Sequence, residues 1–164
     1  MSLAIGVLLR APDDTAAVMA ADIARRARHA EDLGLDSVFV GDHLVSADPT
    51  LDCVVALTSA AAATQRIRIG FSVMALPLRP VPWVAKQVAT LQLVSTGRVI
   101  LGVGAGANAH GAAAWEALGL PFAERGRRTD DALAVLGDLI TGRTENGLAI
   151  SPGSEVPPIW IGGM

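Results

Sequence analysis

The chain has a single cysteine among 164 residues, which excludes a disulfide framework and any multi-cysteine metal site. No apolar run reaches the ~18–20 residues that cross a bilayer, because Arg, Asp, Gly or Pro interrupts each one. The amino-terminal MSLAIGVLLRAPDD has no basic region ahead of its apolar stretch, which ends at Arg10. No secretory signal is therefore expected, and the chain reads as cytoplasmic. An excess of one charge is also missing. Thirteen basic against 16 acidic residues leave a net −3, so neither nucleic acid nor an anionic membrane is expected as the main partner. Charged residues make up only 18% and hydrophobic residues 51%, enough apolar surface to offset the entropy of ordering, which excludes disorder. The length suits one domain at ~150 residues per domain.

The chain alternates short apolar runs with helical periodicity. Leu3 to Leu9 (LAIGVLL) reads as a strand covered on both faces. A helix is predicted from Ala16 to Leu33, with Met19, Ile23, Ala27 and Ala30 on one stripe and Gly34 as its carboxyl cap. Ser37–Val40 is a second strand, Leu51–Ala63 a helix and Ile67–Met74 a third, β-branched strand. Trp83–Ser95 is the next helix, Arg98–Gly104 a fourth strand, Gly126–Ile140 a helix carrying Leu133, Leu136 and Ile140, and Pro158–Ile161 a fifth strand. Strand–helix–strand units of this kind give parallel strands with right-handed crossovers. The class is α/β. Spacing alone leaves open a doubly wound sheet or part of a (β/α)8 barrel, since a whole barrel needs ~200–250 residues.

In either architecture the site lies beyond the carboxyl ends of the strands. Those ends carry Arg10, then Asp42-His43, Ser72-Val73, Gly104 to His110, and Gly162-Gly163. An acid beside a histidine can orient the ring and tune its proton affinity; the alternative is an Asp that caps its loop and a histidine satisfied as an ordinary polar residue. Gly102 to Ala107 fits a loose G-x-G-x-x-A dinucleotide fingerprint, which would require a helix to start inside it and an acid to end the next strand ~20 residues on. Ser72 reads equally as a buried hydroxyl bonded to backbone. Arg79 reads as a solvated loop charge, and Trp83, Trp115 and Trp160 as core or rim packing. Cys53 reads as a buried small hydrophobe. Arg125, Arg127 and Arg128 surround a helix start, where one could face a phosphate.

Five segments, in order, resemble the luciferase-like monooxygenase family of flavin- and deazaflavin-dependent enzymes. They are AEDLGLDSVFVGDHL (Ala30–Leu44), ATQRIRIGFSV (Ala63–Val73), PWVAKQVATLQLVSTGRVILGVGAG (Pro82–Gly106), WEALGLPFAERGRR (Trp115–Arg128) and VPPIWIGG (Val156–Gly163). The resemblance implies a (β/α)8 barrel, of which residues 1–164 would form a single domain equal to the amino-terminal half, about four and a half units. It implies FMN or the deazaflavin coenzyme F-420 on the carboxyl-end face, and a small-molecule substrate. Asp42 and His43 would be catalytic, with His43 contacting the ring or relaying a proton. Ser72-Val73 occupies the place of the family's non-prolyl cis peptide, which backs the ring. Gly104, Ala105, Gly106 and Asn108 would line the cofactor, Arg127 would approach its phosphate, and Gly162-Gly163 would begin a phosphate loop.

Two departures follow from the same comparison. Many deazaflavin members carry an acid or aromatic residue where this chain has Ala107-Asn108, with His110 the nearest substitute. Family members also run to about twice this length. A mean hydropathy of +0.45 fits a chain whose apolar surface meets a partner, either a second copy in a homo-oligomer or a carboxyl-terminal half. Besides the oxidoreductase, two alternatives therefore stand: a non-catalytic barrel subunit acting by association, and a Rossmann-type NAD enzyme.

Overall fold

The computed structural model describes residues 3–10, 15–106, 112–143 and 149–162. Its first strand, β1 (Gly6–Leu8), pairs parallel with β2 (Ser37–Val40), with Gly6 opposite Ser37 and Leu8 opposite Phe39. β2 pairs parallel with β3 (Arg68–Phe71), which pairs with β5 (Val99–Gly104); β6 (Ile159–Ile161) closes the series against β5. A two-residue strand, β4 (Met74–Ala75), also pairs with β5 and prolongs the line of β3. The strands thus follow the order of the sequence, without the reversal that creates a switch point in doubly wound sheets. This overturns the Rossmann alternative. Gly102–Gly104 is strand, and the next helix in the described residues begins only at Ala113, so no helix starts among the motif's described residues, Gly102–Gly106.

Among the described residues the four long helices are α1 (Ala16–Asp32), α2 (Cys53–Ala63), α3 (Val81–Val94) and α5 (Arg125–Thr141). They pack in succession, α1 on α2, α2 on α3 and α3 on α5. The predicted α1 stripe is the buried one: Met19, Ile23, Ala27 and Ala30. Thr15 caps α1 by accepting from the Val18 N–H, and Gly142 ends α5 in the left-handed region. Val38, Ile69, Val99, Leu101 and Val103 form the sheet side of the core, meeting Leu57, Val84, Val88, Leu136 and Ile140 from the helices. Leu8 and Trp160, by contrast, remain more than half exposed on the outer strands. Among the described residues no helix is long and apolar enough to cross a membrane.

The structure corrects several predicted boundaries. α2 starts at Cys53 rather than Leu51, because the Asp52 carboxylate accepts from the Val54 and Val55 N–H groups and fixes the first turn there. α3 starts two residues early, at Val81, since proline is suited to a first turn that needs no donor. The short helix α4 (Ala113–Ala117) lies between the predicted fourth strand and the predicted Gly126–Ile140 helix, in a stretch for which no element is predicted. The predicted third strand is split. Ile69 pairs with Val99 but Met74 with Val103, so the offset between partners drops from 30 to 29 and one extra residue is accommodated at Phe71–Val73.

At the amino-terminal end of the strands two charged side chains tie the layers together. The Arg98 guanidinium donates to the carbonyls of Ala61, Thr64, Ile67 and Ser95 and to the Thr64 hydroxyl, at 2.6–3.1 Å. The Glu31 carboxylate accepts from the N–H groups of Gln65, Arg66 and Ile67. Burial pushes the Glu31 carboxyl up, but the three backbone donors outweigh it and hold it below the usual range.

Candidate active site

At the opposite end, the loops after β2, β3 and β5 converge on a cleft of about 300 Å3. Asp42 and His43 line it from the first loop, Ser72 and Val73 from the second, and Gly106 from the third, with Trp115 of α4 beside them. Five predicted site residues therefore share one cavity. Ser72 is exposed to the cleft, which removes the alternative of a buried hydroxyl. The Ser72–Val73 peptide bond is cis, as the resemblance implied.

Three glycines surround the Val73 side chain. A Cβ on Gly104 would lie 2.5 Å from Val73 Cγ2, and one on Gly162 would lie 2.9 Å from Cγ1. A Cβ on Gly102 would collide with the Phe71 carbonyl oxygen. Gly104 and Gly162 are not among the residues that line the cleft; they leave the room that lets Val73 project where it does. Ala105 links β5 to Gly106 and is not among the lining residues. Gly106 adopts φ +84°, a conformation that favours glycine, and its Cα faces the Trp115 indole.

Asp42 is held firmly. Its carboxylate accepts from the Ala75 N–H at 3.0 Å, from Arg79 Nη2 at 2.5 Å and from Arg79 Nε at 3.3 Å. The side chain is only 7% exposed. Bidentate guanidinium–carboxylate geometry is the strongest of such pairings. Asp52 lies 3.8 Å from the same guanidinium, and Cys53 Sγ 3.7 Å away. Burial lowers the proton affinity of Arg79, but hydrogen bonding and attraction to Asp42 outweigh it and raise it overall. Burial, followed by the charge of Asp42, pushes the Cys53 thiol up, so it is no nucleophile. The ring of His43 lies over Gly41, whose Cβ position is 3.6 Å from Nε2.

Sequence reasoning missed two residues here. Arg79, read as a loop charge, is the clamp on Asp42; its partner stands 37 positions away, and no local pattern links them. Trp115, read as packing, is 2% exposed and meets Phe122 edge-on at 5.8 Å, yet it also lines the cleft. Its indole N–H donates to none of the described residues. The indole nitrogen lies 3.5 Å from the Cβ position of Gly106. Leu44, Val45, Ala75, Leu78 and Ala114 supply the apolar remainder of the wall.

Arg127 does not reach this cleft. It pairs with Glu124 at 2.6 Å and Asp131 at 3.0 Å on an exposed helix face, where neighbouring acids neutralise it. Asn108, His110 and Gly163 lie outside the described residues. Among the described residues no cluster of three or more His, Cys, Asp or Glu could hold a metal ion.

This fold and this cleft belong to a class that the family comparison names. Residues 2–164 match the model of the luciferase-like monooxygenases, and the chain belongs to that family. It is 41% identical over 121 residues to an F420-dependent glucose-6-phosphate dehydrogenase of Beutenbergia cavernae, covering 69% of this chain and 35% of that protein. It is 33% identical over 113 residues to 4-hydroxyprotoasukamycin monooxygenase of Streptomyces nodosus subsp. asukaensis, covering 68% of this chain and 30% of that one. The fold matches the oxygenating constituent of 3,6-diketocamphane monooxygenase of Pseudomonas putida, solved with FMN, with a TM-score of 0.83 at 19% identity. That match covers 98% of this chain and 51% of the solved one. The chain thus spans about a third of the curated relatives and about half of the solved structure.

Proposed function

We propose that the cleft binds the tricyclic ring of FMN or of the deazaflavin and that the chain forms the ring-binding half of an oxidoreductase acting on a small organic molecule. The observation that carries this reading is the meeting of Asp42-His43, Ser72-Val73 and Gly106-Trp115 on one cavity at the carboxyl ends of three adjacent parallel strands. Its residues suit such a ring. Val73, Leu78, Ala75 and Ala114 offer an apolar wall, while Trp115 and His43 offer polar contacts at its margin. Ligand sites of this kind pair a mostly apolar lining with a few placed polar groups. When bound, a reduced flavin would supply electrons to dioxygen or hydride to a substrate, and the deazaflavin would exchange hydride alone.

The chain's own residues divide the work. His43 holds or moves a proton at its imidazole beside the reacting centre. Asp42 is a positioning residue: its bonds to Ala75 and Arg79 tie the loop after β2 to the segment after the bulge, which sets where His43 and Val73 stand. Val73 and Leu78 exclude water from one side of the cleft. Arg127 has no part in this reading.

The single domain is read as one half of a (β/α)8 barrel. The sequential parallel order and the exposed Leu8, Trp160 and Ile161 on the outer strands support a sheet that further β/α units would complete, from the same polypeptide or from a second chain. The experiment for the binding claim is a titration of the chain into FMN and, separately, into the deazaflavin, followed by cofactor fluorescence. Saturable quenching by at least one is expected; a linear, non-saturating response to both would remove the proposal.

A further inference from the structure

Residues 112–120, which carry α4, form a self-contained unit. Among the described residues their backbone hydrogen bonds close within the segment. The Trp115 and Glu116 N–H groups donate to the Ala112 carbonyl, Leu118 and Leu120 to that of Trp115, and Gly119 to that of Glu116. Among the same residues no ion pair or side-chain hydrogen bond ties the segment to the sheet or to the long helices. Trp115 alone in it is buried. Its indole lies against Gly106 and meets Phe122 edge-on at 5.8 Å. Phe122 is fixed to α5 instead: the Arg125 guanidinium stands 4.3 Å over its ring and donates to its carbonyl. A unit that keeps its own hydrogen bonds and buries one side chain opens at far lower cost than the core beside it.

The same unit walls the cleft, through Ala114 and Trp115. With that wall in place the space of about 300 Å3 stands at the lower end of the ~300–1,000 Å3 that ligand sites occupy. We propose that residues 112–120 are a lid, latched by Trp115 on Phe122 and pivoting at Leu120–Pro121, that swings off the cleft to admit the cofactor ring and closes again on it. The pivot has room, since a Cβ on the adjacent Gly119 would meet nothing within 4 Å. Lids of this kind move in microseconds to milliseconds. The proposal deepens the flavin reading and rests on it for the identity of what is admitted. Phe122 is not among the cleft's lining residues, so it is a positioning residue that acts through the Trp115 latch.

The test labels the chain with 5-fluorotryptophan. Its three 19F signals, from Trp83, Trp115 and Trp160, are assigned by replacing each in turn with Phe. In the ligand-free chain the Trp115 signal is expected to show microsecond-to-millisecond exchange by relaxation dispersion, while Trp83 and Trp160, exposed on α3 and β6, stay static. Phe122→Ala should raise the open population about 2–10-fold, the worth of one edge-on ring pair. In stopped-flow mixing with FMN or the deazaflavin, that variant should speed association and dissociation by the same factor and leave Kd within about twofold, because the latch is weakened equally in the free and bound chain. Loss of a static contact speeds dissociation alone, and that result would overturn the lid. So would a Trp115 signal that is static in parent and variant, or three signals that exchange together. Trp115 exchange in a chain that binds neither cofactor would uphold the lid and remove the flavin reading. Cofactor binding by a chain with a static Trp115 would do the reverse.

Discussion

Arg79 grips Asp42 across 37 residues of sequence, donating from Nη2 to Oδ1 and from Nε to Oδ2. Because Asp42 is nearly buried while Arg79 keeps a quarter of its side chain in solvent, the pair is unequal. Removing the guanidinium strands a buried carboxylate that retains the Ala75 N–H and the neighbouring Cys53 thiol. Removing the carboxylate leaves an arginine that can turn to Asp52. Arg79→Ala is therefore expected to cost about 2–4 kcal/mol and Asp42→Asn less, measured by urea unfolding. Equal costs would contradict this asymmetry.

The indole N–H of Trp115 offers a second test. Trp115→Phe keeps a ring against Phe122 and Gly106 and removes one donor. Stability should change by less than about 1 kcal/mol, while the cofactor Kd should weaken about 5–10-fold, the worth of one hydrogen bond. An unchanged Kd would show that the indole serves packing alone.

Steric room at Gly104 should be indispensable. A valine there would overlap the Val73 side chain and drive it into the cleft. Gly104→Val is expected to destabilise the chain by about 1–3 kcal/mol and to abolish cofactor binding, whereas shortening the neighbour in Gly104→Ala/Val73→Ala should restore part of both. Failure of the double variant to recover would place the constraint elsewhere.

Most of the fold was legible in the sequence because its signals are local. The α1 stripe, the Gly34 turn that ends it and the β2 run each follow from neighbours within a few positions. The glycines and the Asp-His pair at strand ends marked the right edge of the sheet for the same reason. What escaped was non-local or too short to carry a period. The register slip at Phe71–Val73 is defined only by pairing with β5, the Arg79–Asp42 clamp by a loop crossing, and α4 spans just Ala113–Ala117. Arg127 entered through the resemblance alone, and its pairing with Glu124 and Asp131 is set by residues within four positions of it.

Acid should unfold the chain partly through Glu31. Its folded proton affinity is depressed, so its contribution is complete above the unfolded value near 4.5 and is lost as pH falls through the lower folded value. Glu31→Gln should cost about 1–2 kcal/mol at pH 7, and the gap between variant and parent should close below about pH 4. A gap that stays constant down to pH 3 would mean that the carboxylate's charge contributes nothing.

The most direct measurement is a crystal structure of the chain grown with FMN or the deazaflavin. The ring should lie against Ser72-Val73, with His43 on one side and Gly106 and Trp115 on the other. A ring bound on the outer helical face, or on the exposed strand residues Leu8 and Trp160, would contradict the account.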